Sequence, residues 1–411
     1  MLRKTAGDGL RHADLWSVGR RYQHIGSNDP LIAVGPLRYH SRIMKQAQNV
    51  RALSLPDLVA RTLRKDVLEM CAYHVPDAAG MVKLDAMENP YSLPASLREE
   101  LGQLAANAPL NRYPDPEASR LRSALRASMQ VPDGMELLLG NGSDELIQLL
   151  ALACARPGTT MLGLEPSFAM YAIVARACGL KFLGIPLGRD FSLDTRAVVA
   201  ALQEHTPAMV FIAYPNNPTG NLFDVHAIEQ IIRSAPGIVV IDEAYHPFAQ
   251  ASFMARLPEF PNLLVMRTLS KLGLAGLRLG VLVGQPAWIT ELNKLRLPYN
   301  VSTLTQVVAE HVLSREEVLQ RQADAIRKAR GQLLERLRTI DGVEAFESAA
   351  NFILLRVARA ETVFEVLKSR GVLIKKLAGS HPSLADCLRV TVGTPAENEA
   401  FVDAIIQAIR L

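Results

Sequence analysis

Between about residues 135 and 285, short apolar runs alternate with amphipathic stretches. The runs "MELLL", "TMLGLEP", "KFLGIPL", "AMVFIAYP", "GIVVIDEA", "NLLVMRT" and "RLGVLVG" are apolar at consecutive positions, and segments such as "SDELIQLLALACA" and "DTRAVVAALQEH" separate them with a helical period. Strands that are apolar throughout belong to a sheet covered on both faces. Their alternation with helices predicts that this sheet is mostly parallel. Past residue 302 the texture changes to long helices, notably "REEVLQRQADAIRKARGQLLERLRTI", then the strands "NFILLRV" and "CLRVTVG". A last helix opens at Thr394, Pro395 and Glu397, a capping-box start. These elements predict a second, smaller α+β domain. Residues 1 to about 52 show no sustained hydrophobic period, and regular patterning begins near "SLPDLVARTL"; the first stretch is expected to be a poorly ordered extension.

Size and charge sharpen this picture. A chain of 411 residues exceeds what one core usually supports, so two domains are expected. The net charge of +4 is concentrated at the start, where residues 1–50 hold eight Lys/Arg against three Asp/Glu. The remainder, with 37 against 38, is neutral and has no nucleic-acid footprint. Cys71, Cys154, Cys178 and Cys387 have no paired spacing, so neither zinc nor a redox pair is indicated. No apolar run is long enough to span a bilayer. Asp8, Asp14 and Asp29 interrupt the transit-peptide character of the basic start, Met44 is an alternative first residue, and the polar "YQHIGSND" follows the Arg20–Arg21 pair. A cytoplasmic location is expected.

Ligands of a doubly wound sheet sit outside the carboxyl ends of its strands, and the chemically suggestive residues fall there. "YPNNPTGN" follows one strand, "DEAYH" another and "LSK" a third, which brings Asn217, Asp242, Tyr245 and Lys271 toward one crevice. "LGNGSDE" opens a helix with small residues whose backbone N–H groups suit an anion. In "RTLSKLGLAGLRLG" a lone lysine and a lone arginine interrupt an apolar stretch; a lysine held inside loses its charge readily and becomes a nucleophilic amine. Taken singly, Asp242 reads equally well as a turn carboxylate, Arg278 as an ion-pair arginine, "NNPTG" as a turn and Phe168 as a core aromatic. Their joint order and spacing carry the functional reading. A reactive lysine, a buried carboxylate, a phenol, an amide and a phosphate cradle together suit pyridoxal phosphate. In that reading Asp242 keeps the pyridine nitrogen protonated, Tyr245 and Asn217 donate to the ring's 3-oxygen, and Ser143, Ser270 and Arg278 take the phosphate.

Over residues 53–411 the chain resembles the fold-type I pyridoxal-phosphate aminotransferases, through "YPNNPTG", "DEAY" and "SK…R". Within them it is similar to the histidinol-phosphate branch, through "KLDAMENPY", "NRYPDP", "GNGSDELI", "PYNVS" and "LRVTVGTPAEN". The resemblance implies an aspartate-aminotransferase-like α/β fold, with an arm and part of the small domain over 53–108, a large cofactor-binding domain over 109–305 and a small C-terminal domain over 306–411. It also implies amino-group exchange between histidinol phosphate and 2-oxoglutarate, in histidine biosynthesis, by a homodimer. Lys271 matches the cofactor-binding lysine and proton shuttle, Asp242 the pyridinium partner, and Phe168 the aromatic stacked on the ring. Gly142, Ser143, Asp144, Thr268, Ser270 and Arg278 match phosphate-binding positions, and Tyr113 the phenol reaching the phosphate from the neighbouring subunit. Arg389 matches the arginine that grips the substrate's anionic end, with Asn217 beside it and help from the partner subunit's Tyr73. Lys375 stands where the family often has an arginine, and Phe168 where some members have a tyrosine. An aromatic or other amino-acid aminotransferase or a threonine-phosphate decarboxylase would carry nearly the same motifs; a transcription regulator with an aminotransferase-like domain would suit the basic start, but about 50 residues without helix-turn-helix patterning are too short for a winged DNA-binding domain and linker.

Overall fold

The computed structural model describes residues 54–72 and 76–410. Residues 54–64 belong to a unit separate from the rest, in which Leu55–Thr62 is a helix whose N-cap Ser54 accepts from the Asp57 N–H. The expectation for residues 1–52 lies outside the described residues.

From Lys65 onward the chain builds two sheets. The larger has seven strands: β2 (Glu136–Gly140), β3 (Thr160–Glu165), β4 (Lys181–Pro186), β5 (Met209–Ala213), β6 (Ile238–Asp242), β7 (Leu263–Thr268) and β8 (Gly280–Gly284), in the order β2-β8-β7-β6-β5-β3-β4. Strands β3 to β7 are mutually parallel, and β8 runs antiparallel between β7 and β2. Alternate side chains of the apolar strands enter different cores. Val239 and Ile241 pack with Leu202, Ile228 and Ile232 on one face, and Val240 packs with Leu146, Leu150 and Tyr171 on the other. Both faces are covered, as the unbroken apolar runs require.

The smaller sheet has five strands: β1 (Val82–Leu84), β9 (Val343–Ala345), β10 (Phe352–Val357), β11 (Val372–Lys376) and β12 (Cys387–Thr391), in the order β1-β11-β12-β10-β9. Its first strand comes from far upstream and pairs in parallel with β11. The last helix, Pro395–Ile409, starts with the full capping box: Thr394 accepts from the Glu397 N–H while the Glu397 carboxylate accepts from the Thr394 N–H. The helix Glu316–Arg338 passes between the cores. Leu319 packs with the large-sheet core, together with Ala309 and Val312 of the helix Thr303–Leu313. Leu333, Leu334 and Leu337 pack with the small sheet. The change of core thus occurs inside this helix.

Candidate active site

Register brings the site together. Gly280, at the start of β8, pairs with Gly140 at the end of β2 on one side and with Thr268 at the end of β7 on the other. The loops leaving β2 and β7 and the residues entering β8 therefore meet at one edge of the sheet. Gly280 fits only without a side chain, since a Cβ there would stand 2.5 Å from the Gly142 carbonyl carbon and 2.7 Å from the Ser143 nitrogen. Gly142 has φ 88°, and a Cβ on it would meet the Arg278 guanidinium at 2.6 Å. The guanidinium thus lies over the glycine just before the helix Ser143–Cys154, whose free N–H groups and dipole favour an anion. Arg278 itself adopts a left-handed conformation (φ 49°), and its Nη2 is 3.5 Å from Asp144 Oδ2. Thr268 Oγ1 donates to Ser270 Oγ (2.9 Å) and accepts from the Ser270 N–H (3.1 Å), which folds the turn after β7 back on itself.

Beside these glycines lies one cavity with about 570 Å³ of space not filled by protein atoms, its mouth included. Ser143, Asp144, Phe168, Asn217, Asp242, Tyr245, Thr268, Ser270, Lys271 and Arg278 all face it, so the structure brings these ten of the predicted residues together. Asp242 ends β6 and is buried. Its Oδ1 accepts from the Ala244 N–H at 3.0 Å and its Oδ2 from the Tyr171 hydroxyl at 2.6 Å. Desolvation pushes its carboxyl up to about 6 against those two hydrogen bonds. Asn217 Nδ2 donates to the Tyr245 hydroxyl at 3.1 Å, and that hydroxyl donates to Met87 Sδ at 3.1 Å. Burial raises the Tyr245 phenol well above its ordinary value. Lys271 Nζ donates to the Ala86 carbonyl at 3.0 Å. Burial, and then the nearby Arg389 charge, bring its amine down to about 8.

Beyond Asn217 lies a second charged group. Arg389, in β12, is 6% exposed; its Nη1 donates to Asn217 Oδ1 at 2.5 Å and its Nη2 to the Asp85 carbonyl at 2.9 Å. Lys375 of β11 stands directly opposite Arg389 in the antiparallel ladder, so the two side chains leave the same face of the sheet. Neither lines the cavity around Lys271. Tyr113 is also apart from it: the ring is 80% exposed and stacks on Tyr299 with centroids 4.4 Å apart. Tyr73 lies outside the described residues.

Three participants escape a reading of the sequence. Tyr171 sits in an apolar helix, Met170–Ala177, where its spacing marks only a core position. Met87 has φ 53°, lines the cavity, and is held at its N–H by Thr391 Oγ1 and at its carbonyl by Asn351 Nδ2. Asn351 is fully buried and lies 264 residues from its partner. No local signal announces these contacts.

The site can be set beside known proteins. Residues 79–405 match the family described as aminotransferase class I and II. Histidinol-phosphate aminotransferase 1 of Ralstonia nicotianae is 55% identical over 362 residues, covering 87% of this chain and 97% of that protein. A histidinol-phosphate aminotransferase of Sinorhizobium meliloti, solved in complex with pyridoxal-5'-phosphate, superposes with a TM-score of 0.77 at 21% identity, covering 85% and 98% of the two chains. An aspartate aminotransferase variant of Thermus thermophilus superposes at 0.69 with 20% identity, covering 85% and 99%. The strand-end arrangement around Lys271 is thus set in an aspartate-aminotransferase-like fold, and with a family match over most of its length the chain belongs to the class I and II aminotransferases.

Proposed function

We propose that the protein is a pyridoxal-phosphate-dependent aminotransferase that exchanges an amino group between L-histidinol phosphate and 2-oxoglutarate, working in the cytoplasm as a homodimer. The observation that carries the reading is the placement, around one cavity, of a buried amine brought down to about 8, a buried carboxylate and an arginine over a glycine at a helix N-terminus. The relatives' names, the Ralstonia protein's above all, support the substrate.

The residues present fit the cofactor. Arg278, Ser143, Ser270 and Thr268 would hold its phosphate; charge-assisted hydrogen bonds of this kind are worth about 1.5–3 kcal/mol each. Asp242 would hold the ring nitrogen, Asn217 and Tyr245 the 3-oxygen, and Phe168 the ring face, with Tyr113 contributed across the dimer. Bound there, pyridoxal phosphate supplies an aldehyde that combines with amines and a ring that accepts the electron pair left when the substrate's α-proton departs. Lys271 can act because at neutral pH a useful fraction of its amine is uncharged. Its Nζ would take the proton from the substrate α-carbon and later return one, as general base and acid. Asp242 serves as an anion, and the low-dielectric setting that raises its pKa also strengthens its pairing with a protonated ring nitrogen. Arg389 would receive the substrate's anionic end, phosphate in one half-reaction and carboxylate in the other, with Lys375 and the partner subunit's Tyr73 beside it.

A steady-state comparison of histidinol phosphate, phenylalanine, tyrosine and aspartate as amino donors tests the reading. Histidinol phosphate is expected to give the highest kcat/KM. A higher value for an ordinary amino acid would reassign the substrate, and release of carbon dioxide from threonine phosphate would indicate a decarboxylase.

A further inference from the structure

We infer that Tyr171 is a positioning residue for Asp242: its hydroxyl keeps that carboxylate ionised and aimed into the cavity, and so sets the acid limit of cofactor binding. The inference rests on the reading of Asp242 as the partner of the cofactor's ring nitrogen.

The geometry is specific. Tyr171 is 1% exposed and gives its hydroxyl proton to Asp242 Oδ2 at 2.6 Å. Its ring is clamped, stacked on Phe211 at 4.8 Å with a 23° interplanar angle and set edge-on to Phe168 at 5.5 Å and 87°. The same phenol therefore touches the carboxylate and the aromatic that lines the cavity beside it. Because the Ala244 N–H takes Oδ1, each carboxylate oxygen has one fixed donor, and the carboxylate plane cannot swing. The remaining lone pairs are left for a donor in the cavity.

The charge balance makes the hydroxyl consequential. Around Asp242 stand Asp144, at the start of the helix Ser143–Cys154, and Glu243, next along the chain; both disfavour a second negative charge. Tyr245 faces it as a neutral phenol. Glu243 is itself paired with Arg267 at 2.9 Å, so Arg267 is already engaged. Against desolvation, the Tyr171 hydroxyl is the leading group that favours the anion, ahead of the Ala244 N–H. Tyr171 cannot compete for the charge, since burial and the adjacent carboxylate hold its phenol far above its ordinary value.

The test is Tyr171→Phe, which keeps both ring contacts and removes only the donor. The dissociation constant of pyridoxal phosphate from the apoprotein is measured between pH 5 and 9, and kcat over the same range. In the wild type, cofactor affinity is expected to fall as pH drops through the Asp242 titration, because the protonated carboxyl no longer attracts a protonated ring nitrogen. In Y171F that acid limb should move up by about one pH unit, since a buried oxygen that loses its donor favours protonation. Phe211→Leu loosens the stack without touching the hydroxyl and should leave the limb in place; it also supplies the comparison if Y171F is recovered in low yield. An acid limb that stays put in Y171F, or moves equally in F211L, overturns the inference. Asp242→Asn separates this from the parent reading: a flat pH profile in D242N supports Asp242 as the ring partner whatever Y171F does, and an unchanged wild-type profile removes both.

Discussion

At the Lys271 end of the pocket, the groups that the strand-end motifs name stand at or next to the ends of strands in one sheet. Asp242 closes β6, Thr268 closes β7, and Gly280 stands between Thr268 and Gly140 in the ladder. At the Arg389 end, the contacts join the small sheet to distant parts of the chain: Arg389 reaches Asn217 across 172 residues and Asp85 across 304. The first end is set by hydrogen-bonded register within a sheet buried on both faces. The second depends on how the segment after β1 lies against β12. Three successive carbonyls of that segment, from Asp85, Ala86 and Met87, accept from Arg389, Lys271 and Asn351. A substitution at the Lys271 end should therefore remove chemistry from an intact frame, and one at the Arg389 end should shift the selection of substrate.

The largest effect expected is that of Lys271→Ala. Transamination should fall to the background rate, and the visible absorbance that lysine-bound pyridoxal phosphate gives should vanish, because among the described residues no other lysine lines the cavity. Borohydride reduction followed by peptide mapping checks this; label retained in the variant at another lysine would mean that the cofactor is held elsewhere. Asp242→Asn should follow, with cofactor bound but kcat lowered by at least about a hundredfold, roughly 2.7 kcal/mol of barrier. An asparagine cannot carry the charge that keeps a ring nitrogen protonated. A loss within tenfold would reduce Asp242 to a turn carboxylate.

Arg389→Ala tests the other end. About a tenfold to hundredfold loss of kcat/KM is expected in both half-reactions, since the same guanidinium would receive phosphate and carboxylate. Asn217 Oδ1 and the Asp85 carbonyl also lose their donor, so thermal stability should drop, by about 1–3 kcal/mol for a buried acceptor left unsatisfied. Retention of the lysine-bound absorbance would show that the Lys271 end survives, which is the independence the two constructions imply. Loss of that absorbance would instead mean that the segment Asp85–Met87 couples them.

The same contrast explains what could be read in advance. The apolar runs announced all seven strands of the large sheet, and the motifs at their ends named Lys271, Asp242, Asn217 and Arg278, because in a parallel sheet a strand's end is a position in sequence as well as in space. In the small sheet, β11 carries little signal of its own: "VLIKK" has three apolar residues followed by two lysines, a weak strand pattern. The three-residue strands β1 and β9 are shorter than any period can mark. Tyr171 looked like core, and it is core on its ring; only its hydroxyl is chemical, and the partner of that hydroxyl is 71 residues away. Met87 carries its information in a positive φ, which no side-chain pattern reports.

A smaller effect concerns pH. With the Lys271 amine brought down to about 8, its reactive uncharged fraction rises about fivefold between pH 7 and 8. The rate at which apoprotein takes up pyridoxal phosphate should rise by the same factor and level off above pH 9. Stopped-flow absorbance measures it; a rate still climbing steeply from pH 9 to 10.5 would mean that burial has not lowered this amine.

The smallest effect, and the one that most sharpens the contrast, is that of Lys375→Ala. Lys375 faces Arg389 across one rung of the β11–β12 ladder and lines no part of the Lys271 cavity, so the lysine-bound absorbance and its titration should not change. A phosphate dianion gains more from a second cation than a single carboxylate does, and Lys supplies a point charge without a bidentate fork. The kcat/KM for histidinol phosphate should therefore fall a few-fold, about 1 kcal/mol or less, while that for glutamate stays within twofold. Lys375→Arg should restore the phosphate substrate, because the charge and not the shape is what this position adds. Equal losses for both donors would place Lys375 in a general supporting role for Arg389, and no loss for either would leave Arg389 as the sole cation that selects the substrate.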